Sequence, residues 1–313
     1  MIRSMAVAAF IASLSATSGF DAEQPYQATG PRADAGASQS PPHGNDDPLT
    51  RPMEVERAKT WLAPLPPEKI FGNTYLVGFA GLSVALIDTG AGLVLIDGAL
   101  PQAAPAILDN VRSLGFDPAD IKFILSTEPH YDHSGGLAAL VRDTGATVVA
   151  SARGADGLRA GALLEDDPQL AYGGVWPRVT QIRVIEDGEE LRLGHTTITA
   201  HATPGHTLGS MSWGWQACEA QNCKAIVFAS SINPVAASGY RYSAPSSAAI
   251  VAGFMATYDR LDALPCDILI SPHPDNAGAG RYNDKPDACR IYADRSRGLL
   301  SNKLASEREA AAN

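Results

Sequence analysis

The 313-residue chain reads as a layered α/β domain, and three observations predict it. The apolar run 121–125 ends in a polar, Gly-bearing loop that leads into Leu137, Leu140 and Val141 at helical spacing. The same strand–helix–strand alternation holds from 92 to 150, the pattern of helices laid against a sheet. Short β-type runs joined by Gly-bearing turns flank it at 71–97 and 179–202. The length allows one large domain or two small ones, either with a sizeable core.

Residues 1–19 have the layout of a secretory signal. Arg3 gives a positive start, residues 5–12 and Leu14 an apolar core, and Ser15, Ala16, Ser18 and Gly19 small cleavage positions. No Cys follows the core, so a lipid anchor is not expected, and the mature chain is expected in the periplasm. Residues 20–54 shift to Pro, Gly, Ser, Ala, Asp and Gln, which bury too little apolar surface to offset ordering entropy; they predict a disordered linker with His43 as a bystander. The folded domain is expected over 55–313.

Within it, strands are predicted at 71–78, 83–88 and 92–97, a helix at 103–114 closed by Gly115, the strand 121–125, a helix ending near Gly145, and a strand at 147–150. Residues 151–175 lack firm periodicity and predict a loop or short-helix insertion. Strands follow at 179–185, 190–193 and 196–202, with a turn at Asp187-Gly188, and another at 224–229; 288–309 predicts a closing helix. The net formal charge of −10, without clustered Lys and Arg, points away from nucleic acid and anionic membranes. No apolar run reaches the roughly 20 residues of a membrane span. A monomer is the expectation.

The chemistry concentrates in the loop after 121–125, which holds Glu128, His130, Asp132 and His133. In an extended segment side chains two apart point the same way, so Glu128, His130 and Asp132 converge, while His133 faces a second point. Two imidazoles and two carboxylates this close match the ligand preferences of zinc. His206, in a Gly-flanked loop, is a further candidate ligand. His201 reads as a strand histidine held by hydrogen bonds, and His195 as solvated. The four cysteines fit no zinc ribbon, and an even count behind a signal segment reads as disulfides, with three connectivities open.

The segment Glu128-x-His130-x-Asp132-His133 resembles the H-x-H-x-D-H signature of the metallo-β-lactamase superfamily, with glutamate in the first histidine's place. Residues 203–210, around His206, resemble its T-P-G-H-T-x-G-S segment, and 271–274, around His273, its S/T-P-H-P segment. The likeness runs from about Trp61 to the C-terminus and is nearest to subclass B3. It implies a four-layer αββα sandwich with the metal site along one edge. It also implies two zincs per chain, one on Glu128, His130 and His206, the other on Asp132, His133 and His273. Relatives that recruit an Asp or Cys ligand after the 224–229 strand differ here, where Ser230 and Ser231 stand. Asp97 matches a residue that braces the site loops and equally suits an ordinary turn. Ser231 and Asn233 become candidates for holding a substrate carboxylate. Leu158, Leu163 and Tyr172 are weaker candidates for a groove over the site. Together with sequence proximity, the likeness favours Cys218–Cys223 and Cys266–Cys289.

The implied activity is hydrolysis of a β-lactam amide, carbapenems included, by a zinc-bound hydroxide that Asp132 orients. Two rivals stand beside it. A lactonase or thioesterase shares the fold, and fold does not decide substrate. A binding protein could use the same loop without catalysis.

Overall fold

The computed structural model describes residues 47–278 and 280–312. The expected signal segment 1–19 and linker positions 20–46 lie outside the described residues. Two sheets form the centre. The first carries β1 (Glu68–Phe71), β2 (Thr74–Leu76), β3 (Ala85–Asp88), β4 (Leu93–Ile96), β5 (Ile121–Leu125), β6 (Thr147–Ala150) and β7 (Ile182–Val184), paired in that order. It is antiparallel through β4 and parallel from β4 to β7. The second runs in the order β12 (Ile268–Ile270), β11 (Asn222–Phe228), β10 (Met211–Glu219), β9 (Thr196–Ala202) and β8 (Glu190–Leu193). Only the β11–β12 pair in it is parallel.

Period-2 alternation explains the layering, because the central strands are apolar on both faces. On β4, Leu93 and Leu95 pack outward against helices α2 (Ala104–Ser113) and α4 (Leu137–Thr144), while Val94 and Ile96 face the other sheet. On β11, Ile226 and Phe228 face the first sheet, and Val227 packs outward under α6 (Ala248–Ala263) and α8 (Ala288–Ala312). Three separate cores thus fill three interfaces between four layers, the αββα sandwich that the likeness implied. Each fully buried Leu, Ile or Phe contributes about 1.5–3 kcal/mol before entropy costs.

Several elements differ from expectation. The run 71–78 is a hairpin rather than one strand: Gly72, at φ 57°, and Asn73 turn the chain between β1 and β2. Residues 151–175 do carry the expected short helix, α5 (Ala152–Ala160), capped by the Ser151 hydroxyl accepting from the Gly154 amide and followed by a loop. Residues 47–54, expected as linker, lie against the domain. Met53 exchanges two hydrogen bonds with the Gln102 side chain, Thr50 is buried, and Asp47 pairs with Arg142 at 2.6 Å. Helix α1 (Val55–Trp61), β10 and α6 had no counterpart among the predicted elements. Both disulfides connect as favoured, Cys218–Cys223 across the β10–β11 turn and Cys266–Cys289 between the start of β12 and α8.

Candidate metal centre

The C-terminal ends of β4, β5, β9, β11 and β12 all open on one edge of the sandwich, and the loops after them build the site. The loop after β5 is extended only as far as His130; Tyr131–Ser134 is a helical turn, α3. Asp132 therefore does not continue the extended face of Glu128 and His130, as alternation predicted, but turns with His133 towards a second point. The Ser134 hydroxyl donates to the Glu128 carbonyl at 2.7 Å and closes the loop on itself. Asp97, buried at φ 66°, accepts from the Thr127 amide at 2.8 Å and the Thr127 hydroxyl at 2.7 Å. The Gly98 amide donates to the His133 carbonyl at 2.8 Å. Asp97 thus ties the ends of β4 and β5 together beneath the site.

Two triads result. Glu128, His130 and His206 present ligand atoms to one point, and Asp132, His133 and His273 to another. In the first, Glu128 Oε1 lies 3.8 Å from His130 Nδ1 and 3.5 Å from His206 Nε2. Tetrahedral zinc with ligands at 2.0–2.1 Å spaces them about 3.3 Å apart, close to these values. In the second, Asp132 Oδ2 lies 3.2 Å from His273 Nε2 and 3.5 Å from His133 Nε2. His133 Nε2 is also 3.2 Å from Glu128 Oε1, so the triads adjoin.

The decisive atom is Glu128 Oε1. Its partner oxygen Oε2 accepts from the Ser231 amide at 2.8 Å, which fixes the carboxylate. Oε1 is buried, and although three imidazole nitrogens lie within 3.8 Å, none meets it with hydrogen-bond geometry. Leaving such an oxygen unpaired costs about 1–3 kcal/mol or more, and a cation among these donors removes that cost. The residues fit zinc.

The outer contacts orient the rings. His130 Nε2 donates to Asp167 at 2.9 Å, leaving Nδ1 towards Glu128. His206 Nδ1 donates to the Asn233 carbonyl at 2.9 Å, leaving Nε2 towards Glu128 and within 3.1 Å of the Gln169 amide nitrogen. Burial opposes charge on Glu128 and Asp132, but the surrounding imidazoles hold both carboxyls below their usual range. Burial likewise opposes protonation of His133, yet Asp132, Glu128 and Asp97 push its pKa up to about 10. For His206 burial dominates and its pKa falls.

The triads floor a cleft of about 180 Å³. Arg57, Trp61 and Tyr131 form one wall, Leu163, Gln169 and Tyr172 a second, and Ser231, Asn233 and Val235 a third. Ser231 Oγ and Asn233 Oδ1 are buried without hydrogen-bond partners. Leu163 and Tyr172 line the cleft as proposed for a groove; Leu158 does not, being buried in the helix–sheet core, where α5 directs it inward. His201 lies in β9 and His195 beside Gly90, and neither joins a triad. Sequence reasoning missed Asp167, Gln169, Arg57, Trp61 and Tyr131. Arg57 and Trp61 share a helix face, with the guanidinium 5.5 Å from the indole centroid and that ring 5.7 Å from His273. Their i, i+4 spacing was a usable signal; Asp167, 37 residues from its partner, had none.

A four-layer sandwich with two adjoining His-carboxylate triads at one edge defines a dinuclear metallohydrolase. The chain belongs to the metallo-β-lactamase superfamily, whose family pattern matches residues 69–218. A solved structure described as the first B3 metallo-β-lactamase with an active-site glutamic acid is 75% identical, covering 84% of this chain and 99% of that one, at a TM-score of 0.83. The metallo-β-lactamase MIM-1 from Novosphingobium pentaromativorans is 38% identical over 80% of this chain and 94% of its own, at a TM-score of 0.76. Among curated proteins, a hydroxyacylglutathione hydrolase of Anaeromyxobacter dehalogenans is 30% identical over 131 residues, and the match spans 41% of its length.

Proposed function

We propose that this protein is a two-zinc β-lactamase that opens the β-lactam ring, with Glu128 as a metal ligand. The observation that carries the reading is the Glu128 carboxylate, fixed by the Ser231 amide and aimed between three imidazoles with one oxygen left unpaired. A relative 75% identical over almost its whole length, itself described as a B3 metallo-β-lactamase with an active-site glutamic acid, supports it.

Glu128, His130 and His206 would hold one zinc, and Asp132, His133 and His273 the other. Zinc bound there supplies Lewis acidity and hydroxide from water at neutral pH, so no Ser or Cys nucleophile is required. The chain's own groups do the rest. Asp132, at the cleft floor, orients the attacking water through its carboxylate. Ser231 and Asn233, which line the cleft, are placed to receive the substrate carboxylate directly or through water. Trp61 and Tyr172 supply apolar walls that exclude solvent from the amide. Water adds across the C–N bond: its oxygen joins the carbonyl carbon and a proton goes to the departing ring nitrogen. Penicillins, cephalosporins and carbapenems share that amide and carboxylate.

Purified protein should turn over nitrocefin, lose turnover to a zinc chelator, and regain it on adding zinc. Hydrolysis of thioesters or lactones with no lactam turnover would assign the chain to a neighbouring activity of the fold, and no turnover of either would leave a binding protein. The secretory character of residues 1–19, with two disulfides, supports action in the periplasm.

A further inference from the structure

Two residues of the insertion after α5, Asp167 and Gln169, contact two of the three first-triad side chains. Asp167 is buried, 7% exposed, and its Oδ2 accepts from His130 Nε2 at 2.9 Å. Its other oxygen accepts from the Gln169 amide at 2.7 Å, so one carboxylate is spanned by the ring on one side and its own loop on the other. The Gln169 side chain then reaches His206 Nε2 at 3.1 Å. Among the described residues no hydrogen bond or ion pair joins this loop to the second triad. The same segment carries Leu163 and Tyr172 into the cleft, and the Tyr172 hydroxyl donates to the Ala236 carbonyl at 3.0 Å across it.

We propose that Asp167 is a positioning residue that sets the affinity of the first metal site, and that through it the groove-forming loop and that site are energetically coupled. The inference rests on the two-zinc reading above. An imidazole can offer either nitrogen to a metal, and the bond made by the other nitrogen decides which. Asp167 accepts the hydrogen bond from Nε2–H, fixes the tautomer, and turns Nδ1 to the point that Glu128 Oε1 faces. A carboxylate behind a ligating histidine also raises the basicity of the ring, and loss of such a partner typically lowers metal affinity about 10–100-fold. The dependence is strongest where Glu128 replaces a rigid ring, because a carboxylate fixes the metal less tightly in direction. Coupling is reciprocal: if the loop holds the metal, the metal holds the loop.

Zinc titration of the full chain against a chromophoric chelator tests this. The parent should bind two zincs, and Asp167→Ala should keep one at parental affinity while the other weakens about 10–100-fold. Asp167→Asn keeps the shape without the charge, and its one oxygen can accept from either His130 Nε2–H or the Gln169 backbone amide, with an NH2 group at the other. It should fall between the two, and it carries the test should the alanine variant not fold. Hydrogen exchange gives a second reading without turnover. Zinc should slow exchange in residues 161–176 of the parent, and less so in the variants. Two zincs held at parental affinity by a folded variant overturns the proposal. A parent that binds no zinc overturns it together with the two-zinc reading, whereas parental binding by the variants overturns the proposal alone.

Discussion

Replacing Glu128 tests whether it is a metal ligand. Glu128→Gln keeps the shape, so the Ser231 amide can still find the oxygen that takes the place of Oε2, but the charge is gone and an NH2 group points at the imidazoles. The atom affected is Oε1, 3.5 Å from His206 Nε2 and 3.8 Å from His130 Nδ1. Outer partners of ligating groups are worth about 10–100-fold in metal affinity, so losing an inner ligand should cost at least about 100-fold, about 2.8 kcal/mol. A chelator-competition titration should find one zinc at parental affinity and one weakened by that factor or more. Nitrocefin turnover at limiting zinc should fall in step. Glu128→Ala should behave as Glu128→Gln does, and Glu128→His should keep two zincs. Relative to three neutral rings, the carboxylate adds negative charge to the first site, which should raise the pKa of water activated there. The pH profile of Glu128→His should accordingly lie acidic of the parent. Parental zinc binding and turnover in Glu128→Gln would refute the ligand assignment.

Other outcomes follow from the scaffold. Gly136→Ala would place a Cβ 2.2 Å from the Gly98 carbonyl oxygen, so the loop carrying Asp132 and His133 must shift; a loss of about 1–3 kcal/mol in urea unfolding is expected, with weaker zinc binding. Removing the Cys266–Cys289 bridge, which spans 23 residues, should cost about 3 kcal/mol by loop closure, read as a lowered urea midpoint. Asp187, bonded to Arg260 at 2.6 and 2.7 Å, has its pKa lowered: burial opposes charge there, but the Ala202 amide and Arg260 outweigh it. A lowered carboxyl contributes stability above its unfolded value near 4 and loses it as pH falls through the folded value. The pair is partly exposed, so Asp187→Asn should cost only about 0.5–1 kcal/mol at pH 7, a difference that shrinks as pH falls from the unfolded value near 4 through the lowered folded value.

The triads were legible because four of the six residues share one short loop and His206 and His273 each sit in a recognisable loop segment. The layers were legible where a strand is wholly or mostly apolar, as in β4 and β5. Helix α6 escaped because its first half is apolar nearly all round, which leaves little 3.6-residue contrast. Strand β10 does alternate, with Trp213 and Trp215 inward, but Gly214 between them reads as a break; the His201 ring lies over that glycine, where a side chain would collide. The hairpin at Gly72-Asn73 was absorbed into a strand because Phe71 and Thr74 on either side both favour β structure. Asp167 and Gln169 depend on a contact made only after the chain folds back over some 37 residues, and no local pattern encodes that.

The most direct test is a zinc-loaded crystal measured at the zinc absorption edge. Two anomalous peaks are predicted. One should lie within ligand distance, about 2.0–2.2 Å, of Glu128 Oε1, His130 Nδ1 and His206 Nε2, and the other within that distance of Asp132, His133 and His273. A single peak at the second triad, with Glu128 turned to a hydrogen-bond partner, would contradict the account.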